Sequence, residues 1–265
     1  MPPAGRDHLR LQSRENPEGL GVSLESADRC GDVGEGPLAV RALNDVSLAF
    51  PRGRFAAILG PSGAGKSAFL HIAGGLDAPT SGSVTVADLK LPFADEEALA
   101  RIRSEHIGFV FPGENLLPHQ TARQNIELPM RLRGEKLDEG WYSSVVRTMG
   151  VAGAMDELPA RLPRAMQQRV AVARAILGRP AIILADDPAH SLDARASLEI
   201  VELLRLCVRE FGQTVLMSTQ DLAEAALAER VILFSDGGVA GEISEPTPVS
   251  ILTALEALSL RSGPG

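Results

Sequence analysis

The chain has 265 residues, of which 45% are hydrophobic, so it can build one sizeable core or two small ones. Its formal net charge is -8 at pH 7, and the chain as a whole therefore lacks the positive potential with which proteins bind nucleic-acid phosphates or anionic lipid. The two cysteines, Cys30 and Cys207, are too few for a disulfide framework and have no metal-ligand spacing, which is typical of a reducing compartment.

Hydrophobic periodicity predicts an α/β protein. Residues 1–19 are rich in Pro, Gly and charge and are expected to form a loosely ordered tail, followed by one domain over 20–265. We find no apolar leader and no apolar run of 18 residues, and therefore expect no membrane span. The predicted elements in chain order are strands over 46–50 and 55–59, a helix from Lys66, strands over 83–86 and 107–111, helices over 121–133, 140–149 and 167–178, a strand over 181–185, a helix from Asp193, a strand over 214–218 and a helix near 249–259.

The order of these elements predicts a mainly parallel sheet covered by helices. Continuous apolar strands alternate with helices before and after a stretch of about 112–165, in which the strand pattern is absent. We interpret this stretch as an inserted helical subdomain.

A glycine-rich loop follows the second predicted strand and opens the next helix. It contains Gly60, Pro61, Ser62, Gly63, Ala64, Gly65, Lys66 and Ser67, and satisfies the pattern G-x-x-x-x-G-K-[ST]. Glycines let the backbone turn its N–H groups toward phosphate oxygens, and the helix N-terminus adds partial positive charge. The motif predicts that the chain binds a nucleoside triphosphate, with Lys66 at the β- and γ-phosphates and Ser67 on Mg²⁺.

A carboxylate at the end of a neighbouring buried strand is the usual second contact of the metal in such a site. Asp186 follows the apolar run 182–185 and fits this role. The alternative is an ordinary polar strand end with two solvated aspartates, Asp186 and Asp187. The histidines His71 and His190 are interpreted as helix-surface and loop residues rather than catalysts.

Together these segments resemble the nucleotide-binding subunits of ATP-binding-cassette (ABC) transporters. The resemblance covers about residues 38–245 and is carried by 40–48, 75–82, 167–175 and Ser191-Leu192-Asp193, which matches the family's D-loop. Residues 107–111, 115–118 and 125–129 look most like the lipoprotein-release and macrolide or antimicrobial-peptide export branch.

The resemblance implies a P-loop NTPase (RecA-like) core with an antiparallel β subdomain and a helical insert. It also implies ATP and Mg²⁺ as ligands, an integral-membrane permease as partner, and a peripheral place at the inner face of the cell membrane. Two subunits of this family sandwich two ATP molecules, each between one subunit's P-loop and the other's signature.

The family's LSGGQ signature is replaced. Its place is taken by Leu162 and the four residues Pro163, Arg164, Ala165 and Met166. Pro163 has neither a hydroxyl nor an N–H group, and the next two residues add Cβ atoms where the backbone must approach a phosphate. Arg164 either replaces the missing donors as an arginine finger or is a solvated residue at a helix start.

Several other motif positions differ from the family pattern as well. The catalytic glutamate is Asp187, whose carboxylate is shorter by about 1.5 Å, and the switch histidine is Gln220, which carries no titratable proton. The Q-loop glutamine is Pro112, the hydroxyl after Ser67 is replaced by Ala68, and Cys30 stands near the position of the adenine-stacking aromatic residue.

These replacements predict ATP binding with weak or absent hydrolysis. A heterodimer with an intact cassette is favoured over a homodimer, because each ATP would then keep one intact half-site. The alternative function is a non-hydrolytic, nucleotide-gated scaffold for a permease or a cell-envelope partner. A soluble cassette acting in translation or DNA repair usually has tandem cassettes or a coiled-coil insertion, which the sequence does not show, and we expect no nucleic-acid partner.

Overall fold

The computed structural model describes residues 20–29 and 40–261; the predicted tail and Cys30 lie outside these ranges. The strands are β1 (Leu20–Arg29), β2 (Val40–Phe50), β3 (Phe55–Leu59), β4 (Ser81–Val86), β5 (Leu89–Lys90), β6 (Ile107–Val110), β7 (Ile182–Asp186), β8 (Val215–Thr219), β9 (Arg230–Ser235) and β10 (Gly238–Ser244). The helices are α1 (Lys66–Ala73), α2 (Glu96–His106), α3 (Ala122–Arg133), α4 (Glu139–Met149), α5 (Arg164–Leu177), α6 (Ala194–Phe211), α7 (Leu222–Ala225) and α8 (Pro248–Arg261).

A six-stranded sheet forms the centre of the fold, in the order β10-β9-β3-β8-β7-β6. All neighbours are parallel except the hairpin β9–β10 at one edge, which confirms the predicted mainly parallel sheet. Because parallel strands end at the same edge, the residues that follow β3, β7 and β8 meet there. Strand β3 lies between β8 and β9, so the glycine-rich loop leaves from the interior of this sheet.

The period of two along the buried strands distributes their side chains to the two faces of the sheet. On β3, Phe55, Ala57 and Leu59 join the core beneath α5 and α6. The intervening Ala56 and Ile58 join a second core with residues of α1 and β2. Both faces are therefore covered, which explains why the parallel strands are continuously apolar.

A four-stranded antiparallel sheet in the order β2-β1-β4-β5 stands beside the central sheet. Its strand β2 contacts α1 and β10. This is the antiparallel part that the family resemblance implied. In the described ranges, no helix combines the length and the apolar character needed to cross a membrane.

The helices between β6 and β7 begin and end close to the predicted residues. Thr121 and Gln124 form a capping box at the start of α3, and Gly134 and Gly150 end α3 and α4 in left-handed conformations with φ of 66°. One expectation was wrong, because helix α5 begins at Arg164 rather than at 167, with Pro163 as its N-cap. Helix α2, which precedes β6, had no counterpart among the predicted elements, because only Leu99 of its residues is buried.

Candidate nucleotide-binding site

The glycine-rich loop connects β3 to α1, and its shape requires glycine. Gly63 and Gly65 have φ of 82° and 97°, in the left-handed region that other residues avoid. A Cβ on Gly60 would collide with the backbone carbonyl oxygen of Phe234 on β9. Gly65 is the N-cap of α1 and brings no side chain, so the first N–H groups of the helix stay directed at the space enclosed by the loop.

Lys66 spans the loop from within. It is 7% exposed, and its Nζ donates hydrogen bonds to the carbonyl oxygens of Gly60 (2.7 Å) and Pro61 (2.8 Å). Burial lowers the pKa of its ammonium group, while the negative charges of Asp187 and Asp186 act in the opposite direction. The structure therefore holds a cationic group against the loop, as phosphate binding requires.

Asp186 ends β7 directly beside the loop. Its Oδ1 accepts hydrogen bonds from Ser67 Oγ at 2.8 Å and from Ser218 Oγ at 2.6 Å. Burial alone would raise the pKa of this carboxyl, but hydrogen bonds from His71, Ser218 and Ser67 hold it below its usual range. The predicted Lys66, Ser67 and Asp186 are thus brought together around an ionised carboxylate.

Two residues that contact Asp186 were not predicted from the sequence. Ser218 is its register partner on β8. His71 lies with Nε2 3.6 Å from Asp186 Oδ2 and Nδ1 3.4 Å from Asp77 Oδ2, and the hydrogen bond to Asp186 is the main cause that raises the pKa of its imidazole. His71 lies on α1 with its side chain 29% exposed, so it is a partly covered helix-surface residue that also contacts Asp186. Its spacing of four from Ser67, which places both on one face of α1, was the available signal.

Asp187 begins a tight turn after β7. Its N–H donates to the carbonyl oxygen and to Oγ of Ser218 (3.1 and 3.0 Å), and its φ is 41°. Its Oδ2 lies 3.2 Å from His190 Nδ1. A cavity of about 280 Å³ is lined by both of these residues together with Gln220. The two replaced catalytic positions, Asp187 and Gln220, therefore face one space.

The same cavity contains a buried carboxyl that the sequence did not single out. Glu224 is 6% exposed, and its Oε2 accepts a hydrogen bond of 2.6 Å from Thr219 Oγ1. Burial raises the pKa of this carboxyl. It lies in the four-residue helix α7, which is too short to show a helical period that would indicate burial.

The signature positions lie at the start of α5. Pro163 and Arg164 are exposed, whereas Ala165 and Met166 are half-buried. Helix α5 packs against α3, α4, α6 and β6, while α1, which carries the loop, packs against β7, β8 and β2. In the described ranges, the helix that carries the signature segment and the helix that follows the phosphate loop therefore pack against different elements.

The remaining motif positions have structural partners. The carboxylate of Asp193 caps α6 by accepting from the N–H groups of Arg195 and Ala196 (3.1 and 3.0 Å). Ala68 lies on the buried face of α1. Pro112 lies in the loop after β6. Arg174 holds this loop by donating to the carbonyl oxygens of Asn115 (2.7 Å) and Glu114 (3.0 Å).

Comparison with known proteins agrees with this geometry. Residues 43–190 match the ABC transporter family. The chain is 41% identical over 207 residues to the uncharacterized ABC transporter ATP-binding protein YbbA of Escherichia coli K12, covering 77% of this chain and 91% of YbbA. It is 40% identical over 220 residues to the macrolide export ATP-binding/permease protein MacB of Salmonella typhimurium, covering 82% of this chain and 34% of MacB.

A solved structure gives the same result. The dimeric post-hydrolysis state of the ATP-binding cassette MJ0796 bound to ADP and Pi superposes with a TM-score of 0.76 and 35% identity, covering 86% of this chain and 99% of MJ0796. The MJ0796 protein of Methanocaldococcus jannaschii is 37% identical over 227 residues in sequence, covering 83% of this chain and 96% of MJ0796. The predicted branch, with macrolide export among its members, is confirmed. The chain belongs to the ABC transporter family and is one of its ATP-binding cassettes.

Proposed function

We propose that this chain is the ATP-binding subunit of a membrane transport complex, in which it holds Mg-ATP between two cassettes and cleaves it weakly or not at all. The observation that carries the binding proposal is the meeting of Lys66, Ser67 and Asp186 at the loop. A buried ammonium group, the N-terminal N–H groups of α1 and an ionised carboxylate lie together at this loop, with Ser67 Oγ 2.8 Å from Asp186 Oδ1. This combination suits a magnesium-bound triphosphate.

Ser67 and Asp186 are the residues that would hold Mg²⁺. Their oxygens are 2.8 Å apart. A serine hydroxyl and an aspartate carboxylate are oxygen donors of the kind that Mg²⁺ prefers, so this pair fits the ion chemically. Bound there, Mg²⁺ would neutralise charge on the phosphate oxygens.

Weak cleavage is supported by the side chains beside this site. Asp187 is shorter than the glutamate of the family and its backbone is anchored to Ser218, so the carboxylate cannot advance without breaking those bonds. Gln220 cannot exchange a proton. Loss of a positioned base costs roughly 10²- to 10⁴-fold in rate, and loss of a phosphate donor, here the hydroxyl and the N–H that Pro163 lacks, costs roughly a further 10²- to 10³-fold.

An integral-membrane permease and a second cassette are the proposed partners. MacB is an ATP-binding/permease protein, and MJ0796 forms a dimer with ADP and Pi, which supports both kinds of contact. A heterodimer is favoured because Asp187 and the segment 162–166 are altered in the same chain. In a homodimer each ATP would lie between two altered halves.

The remaining assignments follow from this role. The cassette would span residues 20–265, with its helical subdomain at about 112–165, and would sit at the cytoplasmic face of the membrane through the permease. The net charge of -8 disfavours a nucleic-acid partner.

The binding and cleavage parts can be tested separately. Purified chain, alone and co-purified with its permease and second cassette, is titrated with a fluorescent ATP analogue and assayed for phosphate release. We expect saturable Mg-dependent binding that Lys66→Ala abolishes, and turnover well below about one per second. Absence of binding would contradict the whole proposal, whereas turnover near one per second would contradict only weak cleavage.

The length of the Asp187 side chain provides a sharper comparison. Asp187→Glu restores the missing methylene and should raise turnover about tenfold or more. Asp156→Glu is the matched control, because the Asp156 side chain is 91% exposed and its ion-pair partner is Arg123 on α3. Equal turnover in wild type and Asp187→Glu would show that the length of this side chain does not limit the rate of ATP cleavage.

A second candidate function is a nucleotide-gated scaffold without turnover. It is favoured by the two altered catalytic positions, Asp187 and Gln220, facing a single cavity. Turnover of the assembled complex discriminates the two, since a transport motor requires it and a scaffold does not.

A further inference from the structure

The turn after β7 folds His190 back onto Asp187. The N–H of His190 donates to the carbonyl oxygen of Asp187 at 3.1 Å, and the imidazole Nδ1 lies 3.2 Å from Asp187 Oδ2. Asp187 in turn is anchored through its N–H to Ser218 on β8. The imidazole is therefore attached, through a carboxylate, to the edge of the central sheet.

This geometry determines which nitrogen of the neutral imidazole carries the proton. A carboxylate beside Nδ1 accepts the Nδ1–H hydrogen bond and leaves Nε2 as a proton acceptor on the opposite side of the ring. The His190 side chain is 62% exposed, so Nε2 is accessible to water. The imidazole thereby adds a second proton acceptor beside a carboxylate that is one methylene shorter than the glutamate of the family.

We propose that His190 is a catalytic residue whose Nε2 accepts the proton of the attacking water in the residual ATP cleavage at this chain's own site, with Asp187 as the positioning residue. This inference rests on the proposed binding of ATP at the loop. The water oxygen forms a bond to the γ-phosphorus, and the bond from that phosphorus to the β–γ bridging oxygen breaks, its electron pair leaving with ADP. The water proton passes to His190 Nε2.

The surroundings of His190 agree with this role. The charged groups that line the same cavity are Asp187 on the turn after β7, Asp221 after β8 and Glu224 on α7, and all three are acidic. An imidazolium formed during cleavage would be stabilised by these carboxyl groups. Gln220, the other polar side chain at this end of β8, carries no titratable proton.

The tautomer of His190 provides a test that does not depend on activity. Full-length protein is labelled with ¹⁵N-histidine, and the five histidines are assigned by substitution. We expect the Nδ1–H form for neutral His190 in wild type and its loss in Asp187→Asn, with His119, an exposed loop residue, unchanged. An Nε2–H form of His190 in wild type, or no response to Asp187→Asn, would overturn the inference.

Single-turnover cleavage provides the second test, with the full chain in excess over Mg-ATP. His190→Gln should lower the rate at least about tenfold with an unchanged Kd for ATP, because an amide cannot accept the proton of the attacking water. His119→Gln is the matched control and should change neither.

The outcomes separate the two proposals. If the wild-type chain does not bind ATP, the proposed function fails. If it binds ATP but cleavage is undetectable, or is equally fast in His190→Gln, only the role of His190 is refuted.

Discussion

Gly60→Ala tests whether the shape of the phosphate loop depends on its close approach to β9. The added Cβ would overlap the carbonyl oxygen of Phe234 and lie 3.3 Å from the Cβ of Ala64. Phe234 lies on β9, which pairs with β3, so the obstructing oxygen cannot move without distorting the central sheet. Overpacking of this kind costs about 1–3 kcal/mol, and we expect that loss in the free energy of unfolding.

Nucleotide affinity should fall as well. The Gly60 carbonyl oxygen accepts a hydrogen bond of 2.7 Å from Lys66 Nζ, and a displaced loop would weaken this contact. A loss of about 1.4 kcal/mol in binding is a tenfold rise in Kd, which a titration with a fluorescent ATP analogue detects easily.

The matched control is Gly153→Ala. No atom lies within 4 Å of an added Cβ there, so we expect urea denaturation and Kd close to those of wild type, within about 0.5 kcal/mol. Gly60→Ala protein with wild-type stability and affinity would refute the requirement for glycine at this position.

Two further predictions concern buried polar groups. Asn125 is fully buried, accepts from Leu117 N–H (2.7 Å) and donates to the carbonyl oxygens of Leu117 (3.2 Å) and Gln120 (3.0 Å). Asn125→Leu should therefore lower the free energy of unfolding by about 2–4 kcal/mol in urea denaturation, and a loss below about 0.5 kcal/mol would contradict this. Because the folded-state pKa of Asp186 is lowered, its ionisation stabilises the protein above its unfolded pKa, and this stabilisation is lost as pH falls through the folded pKa. The stability difference between wild type and Asp186→Asn should thus shrink below about pH 4, and a difference independent of pH would contradict it.

Much of the fold is visible in local sequence. Strand β3 was predicted with the bounds that the structure shows, since five consecutive apolar residues end at a glycine. Helices α3 and α4 have polar N-caps and glycine at the C-cap, so their bounds were correct within one residue. By contrast, α2 has only one buried residue, so its apolar period is weak. Helix α5 begins after Pro163, which has no side-chain capping group to mark a helix start in the sequence.

The sequence by itself determined the phosphate loop, because a phosphate is bound by consecutive backbone groups and by side chains at fixed spacing from them. Only the tertiary structure decided what surrounds that loop. Ser218 reaches Asp186 because β8 lies beside β7 in a particular register, and the collision behind Gly60 exists because β9 pairs with β3. The contact of His190 with Asp187 depends on the backbone path of a turn. Such contacts join residues through strand order, register and turn geometry, none of which has a local sequence pattern.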